Sequence, residues 1–179
     1  MSRIAIPAVE SATGATAAVY EQVRKSAGGS LPNLFAALGH LAPSGLSAIL
    51  DAEGVLNSSS LDRQDRETIK LSVSAETGCD YCVAAHSLLG KMAGLSPDAL
   101  SAIRIGGATG DAKRDALLRF VRLIVRTSGT LDEQEVAAVR AADYSDTQLA
   151  DISLAIALTI FTNTFNRIND TKVDFPPVR

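Results

Sequence analysis

Four side chains capable of thiol and proton chemistry are regularly spaced in the middle of the chain. Glu67 is followed after eleven other residues by Cys79, and then by Cys82 and His86 at intervals of three and four. In a helix that begins at Cys79, residues three and four apart share a face, so both thiols and the imidazole lie in one line. Thiols this close can form a disulfide, and His86 can take the thiol proton or stabilise the thiolate. The pattern predicts a redox-active dithiol.

The segment before Gly78 can add the carboxylate to this line. If the chain turns at Gly78, the preceding helix lies alongside the following one, and Glu67 can reach His86 directly or through water. Such a carboxylate fixes the tautomer of the imidazole. The alternative is that Glu67 is a surface acid, paired with Arg63 or Lys70 at helical spacing.

Neighbouring polar residues have simpler interpretations. Tyr81, between the cysteines, is predicted to be a packing residue that can also line the site, and Asp80 a solvated acid in the first helical turn. His40 is interpreted as a helix-end or surface histidine. A zinc site built on the dithiol is disfavoured because the chain has no second cysteine pair. Two small buried core cysteines are the remaining alternative.

Together, Glu67, Cys79, Cys82 and His86 resemble the alkylhydroperoxidase D-like branch of the carboxymuconolactone decarboxylase family. The core of the likeness covers residues 50–95, and a looser one lies at Phe161-Thr-Asn-Thr-Phe-Asn-Arg. The resemblance implies an all-helical fold, trimers or hexamers, and peroxide reduction through the cysteine pair. Known members carry a histidine just before the second cysteine, whereas this chain has Tyr81.

The resemblance assigns Cys82 as the thiol that attacks peroxide, Cys79 as the resolving thiol, and Glu67 with His86 as the proton relay. From the residues alone, the helix dipole favours Cys79 as the more acidic thiol and His86 favours Cys82. Cys82 is the predicted attacking thiol, because a base one turn away can remove its proton.

The predicted function is a thiol-dependent peroxidase that reduces hydroperoxides in antioxidant defence. The alternatives are a non-enzymatic thiol–disulfide adaptor and a carboxymuconolactone-type decarboxylase, which needs no thiols. By resemblance, the partners are a lipoyl protein or a thioredoxin-like donor, and a peroxiredoxin. No cofactor or metal is expected in the chain, which lacks a Rossmann glycine pattern.

Composition limits the remaining possibilities. The 179 residues are 46% hydrophobic and 4% aromatic with no Trp, which predicts one domain over residues 1–179 with a core of Ala, Leu, Ile and Val. A net charge of -3 argues against nucleic-acid binding. Two cysteines in one C-x-x-C, and no signal-peptide pattern at the start, predict a cytoplasmic protein that does not enter the membrane.

Helix signals run throughout, so the predicted fold class is all-α, a compact helical bundle with the C-x-x-C on a helical hairpin. Start signals occur at Ser96-Pro97-Asp98, and capping boxes are predicted at Thr130 and Ser145. The last helix is apolar nearly all round, which predicts either the centre of the bundle or a subunit interface in a homo-trimer or hexamer. The predicted helices cover residues 11–27, 33–40, 43 to the loop at 58–60, 62–77, 79–93, 111–127 and 146–170. A further helix is predicted to start at Ser96, and residues 103–107 are ambiguous.

Overall fold

The computed structural model describes residues 2–178, and within that range the chain forms helices and no β-strand. A single 3-10 turn, Val9–Ser11, precedes the first α-helix. The α-helices are α1 Gly14–Ser26, α2 Asn33–Leu41, α3 Pro43–Asn57, α4 Arg63–Glu76, α5 Asp80–Met92, α6 Pro97–Ile105, α7 Ala112–Thr127, α8 Glu133–Ala141 and α9 Asp146–Asn169. The all-α prediction is confirmed.

Side-chain caps fix most helix starts. Ser96 accepts the Ala99 N–H at the start of α6, and Ser145 forms a complete capping box with Gln148 at the start of α9. The capping box predicted at Thr130 is wrong. Helix α8 starts later, where the Asp132 carboxylate accepts the Glu135 N–H, and a carboxylate suits the positive end of a helix dipole.

The central helix of the bundle is α4, which packs against α5, α7 and α9. Its middle is buried although much of it is polar. Two of its buried polar side chains have partners: Lys70 pairs with Glu53 at 2.6 Å, and the Ser74 hydroxyl donates to the Lys70 carbonyl at 2.7 Å. The hydroxyls of Thr68 and Ser72 are also buried but have no hydrogen-bond partner within residues 2–178, so part of the cost of burying polar groups on α4 is not offset by hydrogen bonds.

Helix α9 has two different faces, so its interpretation as the centre of the bundle is wrong. One face, including Ile152 and Ile156, is buried against the core. The other carries apolar side chains in the open: Ile160 is 38% exposed, Phe161 44% and Ile168 60%. Length and composition alone would let α9 cross a membrane, but its buried asparagines form hydrogen bonds within the protein.

Segments at both ends of the described chain meet beside the start of α5. The Arg3 N–H donates to the Asn169 carbonyl at 2.6 Å, and the Lys172 N–H donates to the Ser2 hydroxyl at 3.0 Å. Phe175 packs edge-on against Tyr81, with ring centroids 5.3 Å apart. The two segments therefore cover the end of the bundle where the cysteines lie.

Candidate active site

The turn between α4 and α5 fixes where the first cysteine lies. Gly78 has a φ of +66°, and the Gly78 N–H donates to the Ala75 carbonyl while the Cys79 N–H donates to the Ser74 carbonyl. These two bonds form a Schellman motif, which ends α4 with a left-handed residue. The motif brings α5 back alongside α4, as the predicted hairpin requires.

Cys79 is the N-cap of α5. Its sulfur accepts the Cys82 backbone N–H at 3.4 Å, which satisfies one of the free donors at the helix start. Both cysteines are free and buried, and they pack among side chains of α1, α2 and α3.

The two thiols affect each other's pKa. The pKa of Cys79 lies below its ordinary value because the Cys82 thiol donates to the Cys79 sulfur, and the Cys82 backbone N–H acts in the same direction against burial. The pKa of Cys82 is raised by that same hydrogen bond, by burial and by the neighbouring Cys79 charge. The first proton to leave this coupled pair therefore leaves a thiolate on Cys79.

His86 and Glu67 form a hydrogen-bonded pair between α5 and α4. His86 Nδ1 lies 2.9 Å from Glu67 Oε2. Burial alone would raise the pKa of Glu67, but the charge and hydrogen bond of His86 hold that pKa below its ordinary value. With an ionised Glu67 on Nδ1, the imidazole keeps its other nitrogen, Nε2, free to accept a proton. No hydrogen bond joins His86 to either sulfur in the described part of the chain.

Glu67 is not a surface acid. Its residue is 8% exposed, and Lys70, its predicted surface partner, is paired with Glu53 instead. Gly90, further along α5, allows close packing against α6 and leaves ordinary contact distance to Glu67. A Cβ on Gly90 would lie 2.8 Å from Leu100 Cδ2 and 3.8 Å from Glu67 Cβ.

Tyr81 lies in the site as a packing residue. Its hydroxyl accepts the Leu34 N–H at 3.2 Å, which ties the start of α2 to α5. Burial raises the pKa of Tyr81, so its hydroxyl stays protonated. Asp80 is exposed in the first turn of α5, and His40 is exposed in the last turn of α2. No cluster of three or more metal-ligating side chains occurs within residues 2–178.

A polar cavity of about 710 Å³ opens beside Cys79. Residues from the α4–α5 turn and from the end of α9 line its wall, and Arg3 and Arg167 add positive charge. Arg167 is held in place by a 2.7 Å hydrogen bond to the Thr77 carbonyl. The cavity is large enough for a small organic substrate.

Asn166 is a site residue that the sequence prediction missed. Its Nδ2 donates to the Cys82 sulfur at 3.2 Å from α9, 84 positions along the chain. The available signal was a series of asparagines at every third position on an apolar helix, at 163, 166 and 169. All three are buried, and buried amides need partners.

Comparison with known proteins identifies the central segment. Residues 43–123, which contain the hairpin and its four predicted site residues, match the sequence model of the Carboxymuconolactone decarboxylase family. This segment belongs to that family. The resemblance read from the spacing of Glu67, Cys79, Cys82 and His86 is confirmed.

One curated relative of this family segment, the uncharacterised protein YdfG of Bacillus subtilis, is 38% identical over 47 residues, or 26% of this chain. The chain spans about a third, 32%, of that relative's length.

Solved structures share the fold of the whole chain. The alkylhydroperoxidase AhpD core of an uncharacterised peroxidase-related protein from Ralstonia eutropha has a TM-score of 0.85 at 22% identity, covering 97% of this chain and 92% of that one. A debrominase, solved as a cysteine-to-alanine variant in complex with 2,3,4-tribromopyrrole, has a TM-score of 0.72 at 17% identity, covering 88% and 84%. At these identities, the likeness establishes the alkylhydroperoxidase D-like fold.

Proposed function

We propose that the protein is a thiol-dependent peroxidase that reduces hydroperoxides with the Cys79–Cys82 pair. The observation that carries this proposal is the pair of free, buried thiols at the start of α5, with His86 one helical turn beyond Cys82. His86 is in turn hydrogen-bonded to a buried Glu67 whose pKa is lowered by that contact. The family segment and the peroxidase-related structure of the same fold support a role in peroxide metabolism.

In the first step, the Cys82 thiolate attacks the terminal oxygen of the hydroperoxide. An S–O bond forms, the O–O bond breaks, and the alkoxide takes a proton and leaves as an alcohol. Cys82 is thereby oxidised to a sulfenic acid. The free nitrogen of His86 is the group proposed to take the Cys82 proton and return it to the leaving alkoxide.

In the second step, the Cys79 thiolate attacks the Cys82 sulfur. A disulfide forms, and the hydroxyl leaves as water after taking a proton. An external dithiol then reduces the disulfide and is itself oxidised. A lipoyl protein or a thioredoxin-like protein is the proposed donor, a peroxiredoxin is a further partner, and cytoplasmic thiol pools supply electrons.

Cys82 is proposed as the attacking thiol because His86 lies one turn beyond it. The lower pKa of Cys79 favours Cys79 as the attacking thiol instead, so the assignment is tested by trapping the sulfenic acid. Cys82→Ser should abolish peroxide reduction. Cys79→Ser should retain one turnover and leave a sulfenic acid on Cys82 that a dimedone-type probe labels. Labelling of Cys79 in the Cys82→Ser protein, with a full single turnover, would exchange the two roles.

The function itself is tested by hydroperoxide consumption with dihydrolipoamide, thioredoxin or glutathione as the donor. Turnover that depends on both cysteines is the expected result. Disulfide exchange with these donors without peroxide consumption would instead indicate the adaptor function. Conversion of a muconolactone by the double cysteine variant would indicate the decarboxylase.

Reductive dehalogenation is a second candidate, favoured by the debrominase of the same fold. A dithiol supplies the two electrons needed to replace a carbon–bromine bond by carbon–hydrogen, releasing bromide and forming the disulfide. Bromide release from 2,3,4-tribromopyrrole, measured beside the peroxide assay with the same donor, separates the two activities. Bromide release without peroxide consumption would replace the peroxidase proposal.

A further inference from the structure

Asn166 makes a direct contact with a reacting sulfur. The residue is 3% exposed, and its amide nitrogen lies 3.2 Å from Cys82 Sγ. An amide N–H can only donate, and a donor beside a sulfur favours the thiolate over the thiol. The Asn166 amide accordingly acts to lower the pKa of Cys82, against the effects of Cys79 and of burial.

Each sulfur in the pair has its own N–H donor. The Cys79 sulfur receives the Cys82 backbone N–H, and the Cys82 sulfur receives the Asn166 amide. Negative charge is therefore solvated by the protein at either position. Since Cys79 has the lower pKa of the two thiols, the donor on α9 becomes important when negative charge must form on Cys82 for attack.

The oxygen of the same amide has no hydrogen-bond partner. Asn166 Oδ1 is buried and accepts no hydrogen bond from any residue between 2 and 178. Such an orphan acceptor is costly unless a ligand supplies the donor. Asn166 also lines the cavity beside Cys79, but its Oδ1 atom is closed off from solvent. A molecule in that cavity therefore reaches Oδ1 only when the cavity wall at Asn166 shifts.

A hydroperoxide supplies the missing donor. Its single O–H is carried by the terminal oxygen, which is also the oxygen that a thiolate attacks. An acceptor on the same amide that holds Cys82 would therefore place the reacting oxygen beside the reacting sulfur.

We propose that Asn166 is a catalytic residue of the dithiol site, whose amide N–H stabilises the Cys82 thiolate and whose free oxygen accepts the O–H of the hydroperoxide. The inference rests on the proposed peroxidase function and names its substrate class as peroxides with a free O–H. Asn166 transfers no proton in this role. Its Nδ2–H donates a hydrogen bond to the Cys82 sulfur, and its Oδ1 accepts one from the substrate.

The thiolate half of the proposal is tested without peroxide. Both cysteines fall in the tryptic peptide of residues 71–91, so fragment ions locate iodoacetamide on each sulfur separately. We expect Asn166→Ala to slow Cys82 alkylation at pH 7 by about 10- to 100-fold, as for loss of one hydrogen bond to a charged group. Asn166→Asp, which keeps the shape but places negative charge at the sulfur, should slow it at least as much.

Asn163 provides the matched control. It is an equally buried asparagine three residues earlier on α9, and its amide donates to the Thr77 hydroxyl at 2.8 Å. Asn163→Ala should lower stability while leaving Cys82 alkylation within about twofold of wild type. Wild-type alkylation in both Asn166 variants, with folding confirmed by circular dichroism, would overturn the thiolate half.

The substrate half is tested by separating kcat from KM for cumene hydroperoxide. Asn166→Asp keeps an oxygen acceptor, so it should lower kcat with little change in KM. Asn166→Ala loses the acceptor too and should also raise KM several-fold. Equal KM values in the two variants would overturn the substrate half. If the wild type consumes no hydroperoxide, the peroxidase function and the substrate half fail together, and the alkylation result still decides the thiolate half.

Discussion

Glu67 is a buried carboxylate whose charge is stabilised chiefly by His86, with smaller contributions from the charges of Lys70 and Arg63. Because His86 is its hydrogen-bond partner, we expect Glu67→Gln to slow peroxide reduction by roughly 10²-fold, the low end for a positioned proton-transfer group. The pH–rate profile should also shift, since the amide no longer fixes the imidazole tautomer. Glu53→Gln is the control, because it removes a carboxylate that pairs with Lys70 and forms no ion pair or hydrogen bond with His86 or either cysteine among residues 2–178. Superimposable profiles for wild type and Glu67→Gln would remove Glu67 from the mechanism.

The same carboxylate predicts an acid dependence of stability. A carboxyl whose pKa is lower in the folded state contributes stability that is complete above its unfolded value and is lost as the pH falls through the folded value. For Glu67, whose ordinary pKa is 4.5, the contribution should be present at neutral pH and disappear in acid. Urea unfolding of wild type and Glu67→Gln should therefore give a difference in unfolding free energy that shrinks below about pH 4.5. A constant difference would show that Glu67 is not perturbed.

At this scale, the sequence predicted the side chains that are close together along a hairpin. The distance from Glu67 to Cys79 and the turn at Gly78 were enough to bring Glu67 to His86. The contact between Asn166 and Cys82 could not be predicted from the sequence, because it depends on how α9 packs against α5. The helix start indicated Cys79 as the more acidic thiol, but the contributions of the hydrogen bond between the sulfurs and of burial could not be predicted from the sequence.

The hairpin of α4 and α5 depends on one left-handed residue. Gly78 has a φ of +66° and open space around its Cα, so a methyl group there meets no neighbour and the cost of Gly78→Ala is conformational. We expect a loss of about 1 to 2 kcal/mol in the free energy of unfolding. The loss should appear as a lower midpoint in urea.

Gly54, within α3, is the matched control for this change. It also has open space, but its φ is helical. Gly54→Ala should raise the free energy of unfolding by up to about 1 kcal/mol. Equal changes in unfolding free energy for Gly78→Ala and Gly54→Ala would show that a side chain at position 78 causes no conformational strain.

Elements were predicted well where their own residues specify them. Ser96 and Ser145 cap the helices they precede, whereas Thr130 does not, because Asp132 caps α8 in its place. The central helix could not be recognised from its own residues. Helix α4 has many polar residues, and it is buried only because partners such as Glu53 and His86 come from other helices.

At the scale of the molecule, the exposed apolar face of α9 predicts self-association. Ile160, Phe161 and Ile168 are exposed to solvent in the single chain. Such an apolar surface is typical of one that another subunit covers. We expect a homo-trimer or hexamer by light scattering, and Phe161→Glu should shift it toward a mass near 18.7 kDa.

Met92→Glu is the control for that shift. Met92 is 61% exposed at the end of α5, and its substitution should leave the assembly intact. A monomeric wild type at micromolar concentration would exclude the oligomer. Dissociation by Met92→Glu alone would move the interface away from α9. The apolar composition of α9 was visible in the sequence, but which of its faces remains uncovered depends on the packing of the other helices.

The position of Cys79 as the N-cap of α5 affects the reduction potential of the Cys79–Cys82 disulfide. Negative charge that forms on the reduced Cys79 sulfur lies at the positive end of a helix, and disulfide formation removes that charge. The reduced form is therefore favoured, which makes the couple more oxidising. A cap interaction of about 1 kcal/mol corresponds to roughly 20 mV for two electrons. Asp80 opposes this effect through its charge, so Asp80→Asn should raise the reduction potential measured against a dithiothreitol redox buffer. The helix start thus sets how strong a reductant the protein requires.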